Sequence, residues 1–100
     1  ILPGACGVAK NLIPEEGTLA VRVPDHDFCR SLLRRFGRPL VSTSANISGG
    51  TTPAGFADIA PEVRSAVDHA VDVRCEGTPT GRASSIIMLG EGGEVRIVRE

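Results

Sequence analysis

One hundred residues make one small domain or part of a larger one, and a net charge of −1 leaves no global field for holding a polyanion. Phe28, Phe36 and Phe56 are the only aromatic residues. That scarcity argues against base-stacking platforms and leaves Val, Ile, Leu and Ala to build the core. Cys6, Cys29 and Cys75 are odd in number, widely spaced and contain no C-x-x-C, so the pattern suggests neither a disulfide framework nor a zinc site and fits a reducing cytoplasm. Apolar runs of only a few residues exclude a membrane-spanning helix, and no signal peptide is visible.

In chain order, Ile1-Leu2-Pro3-Gly4 reads as the end of a strand entering a turn, which predicts a fragment of a longer chain. Residues 5–17 predict a short, weakly patterned helix closed by Pro14-Glu15-Glu16-Gly17. Thr18 to Val23 alternates, with Leu19, Val21 and Val23 on one face, and predicts a strand. A strong helix follows, capped by Asp25 or Asp27, with Phe28, Leu32, Leu33 and Phe36 as its apolar stripe and Gly37 just past its end. Pro39 to Thr43 predicts another strand, and Thr51-Thr52-Pro53 a turn. Residues 54–60 predict a helix that Pro61 restarts through Val67. Val71 to Arg74 predicts a short strand, Glu76 to Ala83 a loop, and Ser85–Leu89 with Glu94–Arg99 a hairpin turning at Gly90–Gly93.

The segment from Pro39 to Gly50 carries the chemistry. An apolar strand enters a loop holding Ser42, Thr43, Ser44, Asn46 and Ser48. Open α/β sheets place ligands at the carboxyl ends of strands, where such a loop offers hydroxyls, an amide and backbone N–H groups to an anion. The same residues favour turns on their own account. Arg22 is the lone charge in an apolar strand, so it has either an anionic ligand or a surface ion pair as its partner. Thr18 begins the same strand and is a weaker candidate. Arg30, Arg34 and Arg38 are spaced to share one helix face, which reads as a solvated face or as a stripe for an RNA backbone. His26 and His69 have no partners at ligand spacing.

Three stretches in order, Val21-Arg22-Val23-Pro24-Asp25-His26, Pro39 to Gly49 with its S-T-S-A-N-x-S-G run, and Ala83-Ser84-Ser85-Ile86-Ile87, resemble the YrdC-type threonylcarbamoyl-AMP synthases. The resemblance spans essentially all 100 residues but only about the C-terminal half of that family's domain. It implies an α/β (α+β) fold, a twisted open mixed sheet with flanking helices around a positively charged cavity, of which residues 1–100 form one portion. It implies a cytoplasmic enzyme that uses ATP, L-threonine and bicarbonate, makes threonylcarbamoyl-adenylate and releases pyrophosphate. Partner proteins then move the threonylcarbamoyl group to tRNA.

The family pairs a K-x-R with an S-x-N. Ser44-Ala45-Asn46 matches the second, and no K-x-R stands in this chain. By the resemblance Ser44 and Asn46 contact the ATP phosphates, and Thr52 and Arg99 lie near the nucleotide. Ser84 contacts threonine, in an Ala83-Ser84-Ser85 run where many members have Pro-Ser-Thr. Ser42, two residues before Ser44, faces either threonine or a neighbouring backbone. Mg²⁺ is expected to arrive with ATP, without a metal site built from protein side chains. Two other readings stay open: a double-stranded RNA or tRNA binding module without catalysis, and the YrdC-like domain of a carbamoyltransferase. Half of a twisted sheet leaves an open edge and bare apolar faces, so these residues alone are expected to be marginal, oligomeric, or ordered only because a further segment completes them.

Overall fold

A helix forms where the sequence supplies an apolar stripe and two ends. The computed structural model, which describes all residues from Ile1 to Glu100, bears this out in α1, Asp27–Phe36. Phe28 and Leu33 of its stripe are half-buried. Gly37 ends it in the left-handed conformation, at φ 74°, and donates its N–H to the Leu33 carbonyl at 2.9 Å. The cap differs from expectation. His26, not Asp25 or Asp27, is the N-cap, and its Nδ1 accepts the Cys29 N–H at 3.4 Å. Asp27 instead becomes the first helical residue, where its charge suits the helix dipole. It joins Asp25 in pairing with Arg30, at 3.1 and 3.2 Å.

The chain divides into two compact units: Ile1–Val23 with Arg82–Glu100, and Pro24–Gly81. In the first, β1 (Ile86–Leu89) and β2 (Val95–Arg99) form the expected antiparallel hairpin. Gly90 donates to the Glu94 carbonyl at 2.8 Å to close it. Ile1 runs beside β1, donating to the Ile87 carbonyl at 2.6 Å and accepting the Leu89 N–H at 3.0 Å. Leu2 and Leu19 then form an isolated antiparallel bridge. That bridge is all that remains of the strand expected over Thr18 to Val23. Val21 and Val23 lie exposed with no strand beside them. The helix expected over residues 5–17 shrinks to one 3-10 turn, Lys10–Leu12. Pro14 disfavours the helical region at Ile13, which sits at ψ 114°. The turn from Pro14 to Gly17 forms as expected.

In the second unit α2 spans Pro61–Ala66 with Pro61 in its first turn. The helix expected before it is a single 3-10 turn, Phe56–Asp58, because Pro61 holds Ala60 extended at ψ 139°. The expected turn at Thr51–Pro53 falls earlier, at Ile47–Gly50. Val71 to Arg74 is not a strand. The Asp72 side chain accepts the Arg74 N–H at 2.9 Å and turns Val73–Cys75 into a 3-10 helix. Pro39 to Thr43 is unpaired.

Helices with a sheet match the expected class, and the sheet is a two-stranded antiparallel one. No residue is fully buried. The accessible surface is 8663 Å², where a globular chain of this mass exposes about 5,400 Å².

Candidate functional site

The polar loop takes its shape from Asn46. Its Nδ2 donates to the Ile47 carbonyl at 2.9 Å and to the Gly50 carbonyl at 3.2 Å, and Gly50 donates its N–H to Ile47 at 2.8 Å. Two carbonyl oxygens facing one amide end fix which end is nitrogen. Oδ1 is the shielded end and has no hydrogen-bond partner. Asn46 therefore spends its donors on the turn, and its remaining acceptor is shielded from the surface. Ser42, Ser44 and Thr52 are exposed, so the loop keeps its hydroxyls on the surface. An anion at this loop would meet hydroxyl donors first.

The first unit holds Thr18, Arg22, Ser84 and Arg99. Thr18 is half-buried and donates to Glu16 at 3.5 Å. Arg22 is exposed and forms no ion pair, so the surface-pair reading of this residue finds no partner in the chain. Ser84 and Arg99, fifteen residues apart in sequence, are brought together. Arg99 donates from Nε at 2.9 Å and from Nη2 at 2.6 Å to the Ser84 carbonyl.

The arginine stripe does not persist. Arg30 is neutralised by Asp25 and Asp27. Arg38 lies beyond α1, after the left-handed Gly37, and covers the Phe36 ring at 5.5 Å. Arg34 stays on the exposed helix surface. Helical spacing fails for Arg38 because the helix stops first.

Sequence reasoning missed a junction around His26. While Nδ1 caps α1, Nε2 donates to the Glu76 carbonyl at 2.9 Å. A Cβ on Gly77 would stand 2.9 Å from that nitrogen, so this glycine admits the ring. Glu76 also accepts the Phe56 N–H at 2.6 Å. The signal was the Glu-Gly pair opening a loop that otherwise lacked any period. A cavity of about 550 Å³ adjoins the junction, lined by Phe28, Phe56, Ile59, Val71 and Val73. None of Ser42, Ser44, Asn46 or Thr52 lines it. Nearby, the Arg74 side chain and N–H hold the Asp72 carboxyl below the ordinary carboxylate range and raise Arg74 in return. No group of three His, Cys, Asp or Glu side chains converges to hold a metal ion. No helix is long and apolar enough to cross a membrane.

A family model for Sua5, YciO and YrdC, described as telomere recombination, matches residues 1–100. The chain belongs to this family. A threonylcarbamoyl-AMP synthase of Pseudoalteromonas translucida is 38% identical over 72 residues, covering 72% of this chain and 38% of the relative. A protein of the same name from Rattus norvegicus is 30% identical over 93 residues, covering 90% of this chain and 33% of the relative. One from Vibrio vulnificus is 29% identical over 94 residues, covering 94% and 41%. The chain thus spans well under half the length of these relatives. No solved structure matches it.

Proposed function

We propose that this chain is part of a threonylcarbamoyl-AMP synthase. The match of the family model along all 100 residues carries the reading, together with relatives of that name. The reaction joins ATP, L-threonine and bicarbonate. A threonylcarbamate oxygen attacks the α-phosphorus of ATP, and pyrophosphate leaves, which makes the enzyme a nucleotidyltransferase. Mg²⁺ enters with ATP on its phosphate oxygens. Such chemistry needs positioning and charge stabilisation more than a protein nucleophile.

On this reading the Ser44 hydroxyl donates to phosphate oxygens, and Asn46 keeps the loop in the shape that presents it. Ser42 and Ser84 face threonine. Thr52 and Arg99 lie towards the nucleotide, and Arg22 meets an anionic group of either substrate, with Thr18 beside it. Ser42, Ser44 and Thr52 lie exposed, which supports the loop as a donor surface. The product would pass to tRNA-modifying partner proteins in the cytoplasm. RNA binding by an arginine face loses its support, because Arg30 is paired and Arg38 is off the helix.

The test is pyrophosphate release by the full-length protein with ATP and bicarbonate, with and without threonine. Threonine-dependent release is expected. Release that ignores threonine would remove the synthase reading. In the active enzyme, Ser44→Ala is expected to lower kcat/KM for ATP by about 10²-fold, the cost of one donor to developing charge.

A further inference from the structure

A break in the hairpin register points to a role for Arg99 that its motif does not carry. Leu89 pairs with Val95, Met88 with Arg96 and Ile87 with Ile97, but Ile86 pairs with Arg99. One step along β1 matches two along β2, so Val98 is an extra residue, a β-bulge. Without it Ile86 would meet Val98, and Arg99 would fall on the face of Val95 and Ile97. The bulge resets the alternation and sets Arg99 on the face of Met88 and Arg96, whose Nη2 touches the Met88 sulfur at 3.3 Å. Ile86 and Met88 are the half-buried residues of β1. From there Arg99 reaches past Ile86 and places two N–H groups on one backbone oxygen, that of Ser84. Charge-assisted bonds of this kind are the strong ones, and only a guanidinium supplies the fork.

We propose that Arg99 is a positioning residue for threonine: through the Val98 bulge it clasps the Ser84 carbonyl and fixes the backbone that presents the Ser84 hydroxyl. Ser84 precedes β1 and lies exposed, so no burial holds it. The clasp replaces packing as the source of order. This rests on the synthase reading, in which Ser84 faces threonine, and gives that reading a mechanism for holding a surface serine still.

Two variants of the full-length protein test it. Arg99→Met removes the clasp, and Arg99→Lys keeps the charge without the fork. Two measurements apply to each. The first is amide exchange over residues 83–86, which needs no ligand. The second is threonine affinity by calorimetry with no nucleotide present, so that a contact between Arg99 and ATP does not enter. Faster exchange in both variants is expected, with threonine binding at least about tenfold weaker in each. Faster exchange with unchanged threonine affinity would overturn the positioning role and leave the synthase reading standing. Arg99→Lys behaving as wild type would overturn the fork. Wild-type protein that binds no threonine, with or without ATP, would overturn the synthase reading and this role together.

Discussion

Asn46 shows how one side chain divides between structure and ligand. Its amide nitrogen is committed to two backbone carbonyls, and its oxygen is shielded with no donor. Asn46→Ala deletes both bonds of an exposed turn, a loss of roughly 1 kcal/mol. Asn46→Asp is expected to be worse despite its closer shape, since it puts carboxylate oxygens against two carbonyl oxygens. Amide exchange at Gly50, whose N–H closes the turn onto Ile47, reads the effect directly. It should quicken in the order wild type, Ala, Asp. An Asp variant with wild-type exchange would mean that the turn does not depend on the amide. The motif Ser44-Ala45-Asn46 stood out in the sequence as a candidate site. What was not legible was the split between Ser44, which is exposed, and Asn46, whose donors are spent locally. Ser and Asn share a turn preference, and only coordinates separate the residue that makes the turn from the one that the turn displays.

At the level of elements, what was legible was whatever closes on itself. The period of α1 and the alternation of the hairpin need partners only a few residues away, and both formed. Thr18 to Val23 and Pro39 to Thr43 carry strand patterns just as clear, yet a strand needs a neighbour to bond with, and apart from the Leu19 bridge neither finds one. Two glycines give a graded test of the local devices. Gly37 is left-handed with open space around its missing side chain, so Gly37→Ala costs only backbone strain, about 1 kcal/mol. Gly77 has the same φ of 74°, but a Cβ there also meets His26 Nε2. Gly77→Ala is therefore expected to lower Tm further than Gly37→Ala, and equal losses would show that the His26 contact contributes nothing. The Asp72 turn gives a pH dependence of definite sign. Its folded carboxyl lies below the usual range because of Arg74, so its contribution is present above the unfolded value, near 4, and fades as pH falls below that. Asp72→Asn should erase that dependence in the amide exchange of Arg74 while leaving exchange at Gly37 untouched.

For the whole molecule the deciding quantity is area. A chain of 10.4 kDa exposes about 15,000 Å² unfolded and about 5,400 Å² when packed as an ordinary globule. Here 8663 Å² stays in water, and Val21, Val23 and Val41 are 58, 90 and 73% exposed. Folding therefore removes only about two-thirds of the area that an ordinary domain of this mass removes. Denaturant slopes scale with that area. The 100 residues alone are expected to unfold in urea with an m-value about two-thirds of the globular norm and to bind a hydrophobic dye before they unfold. The large area and the strand patterns have one cause, apolar faces that no segment of the chain covers. Adding a polypeptide that pairs with residues 18–23 or 39–43 should raise the m-value and expel the dye together. A full-size m-value with no dye binding in the isolated chain, at concentrations low enough to keep it monomeric, would refute this account of its surface.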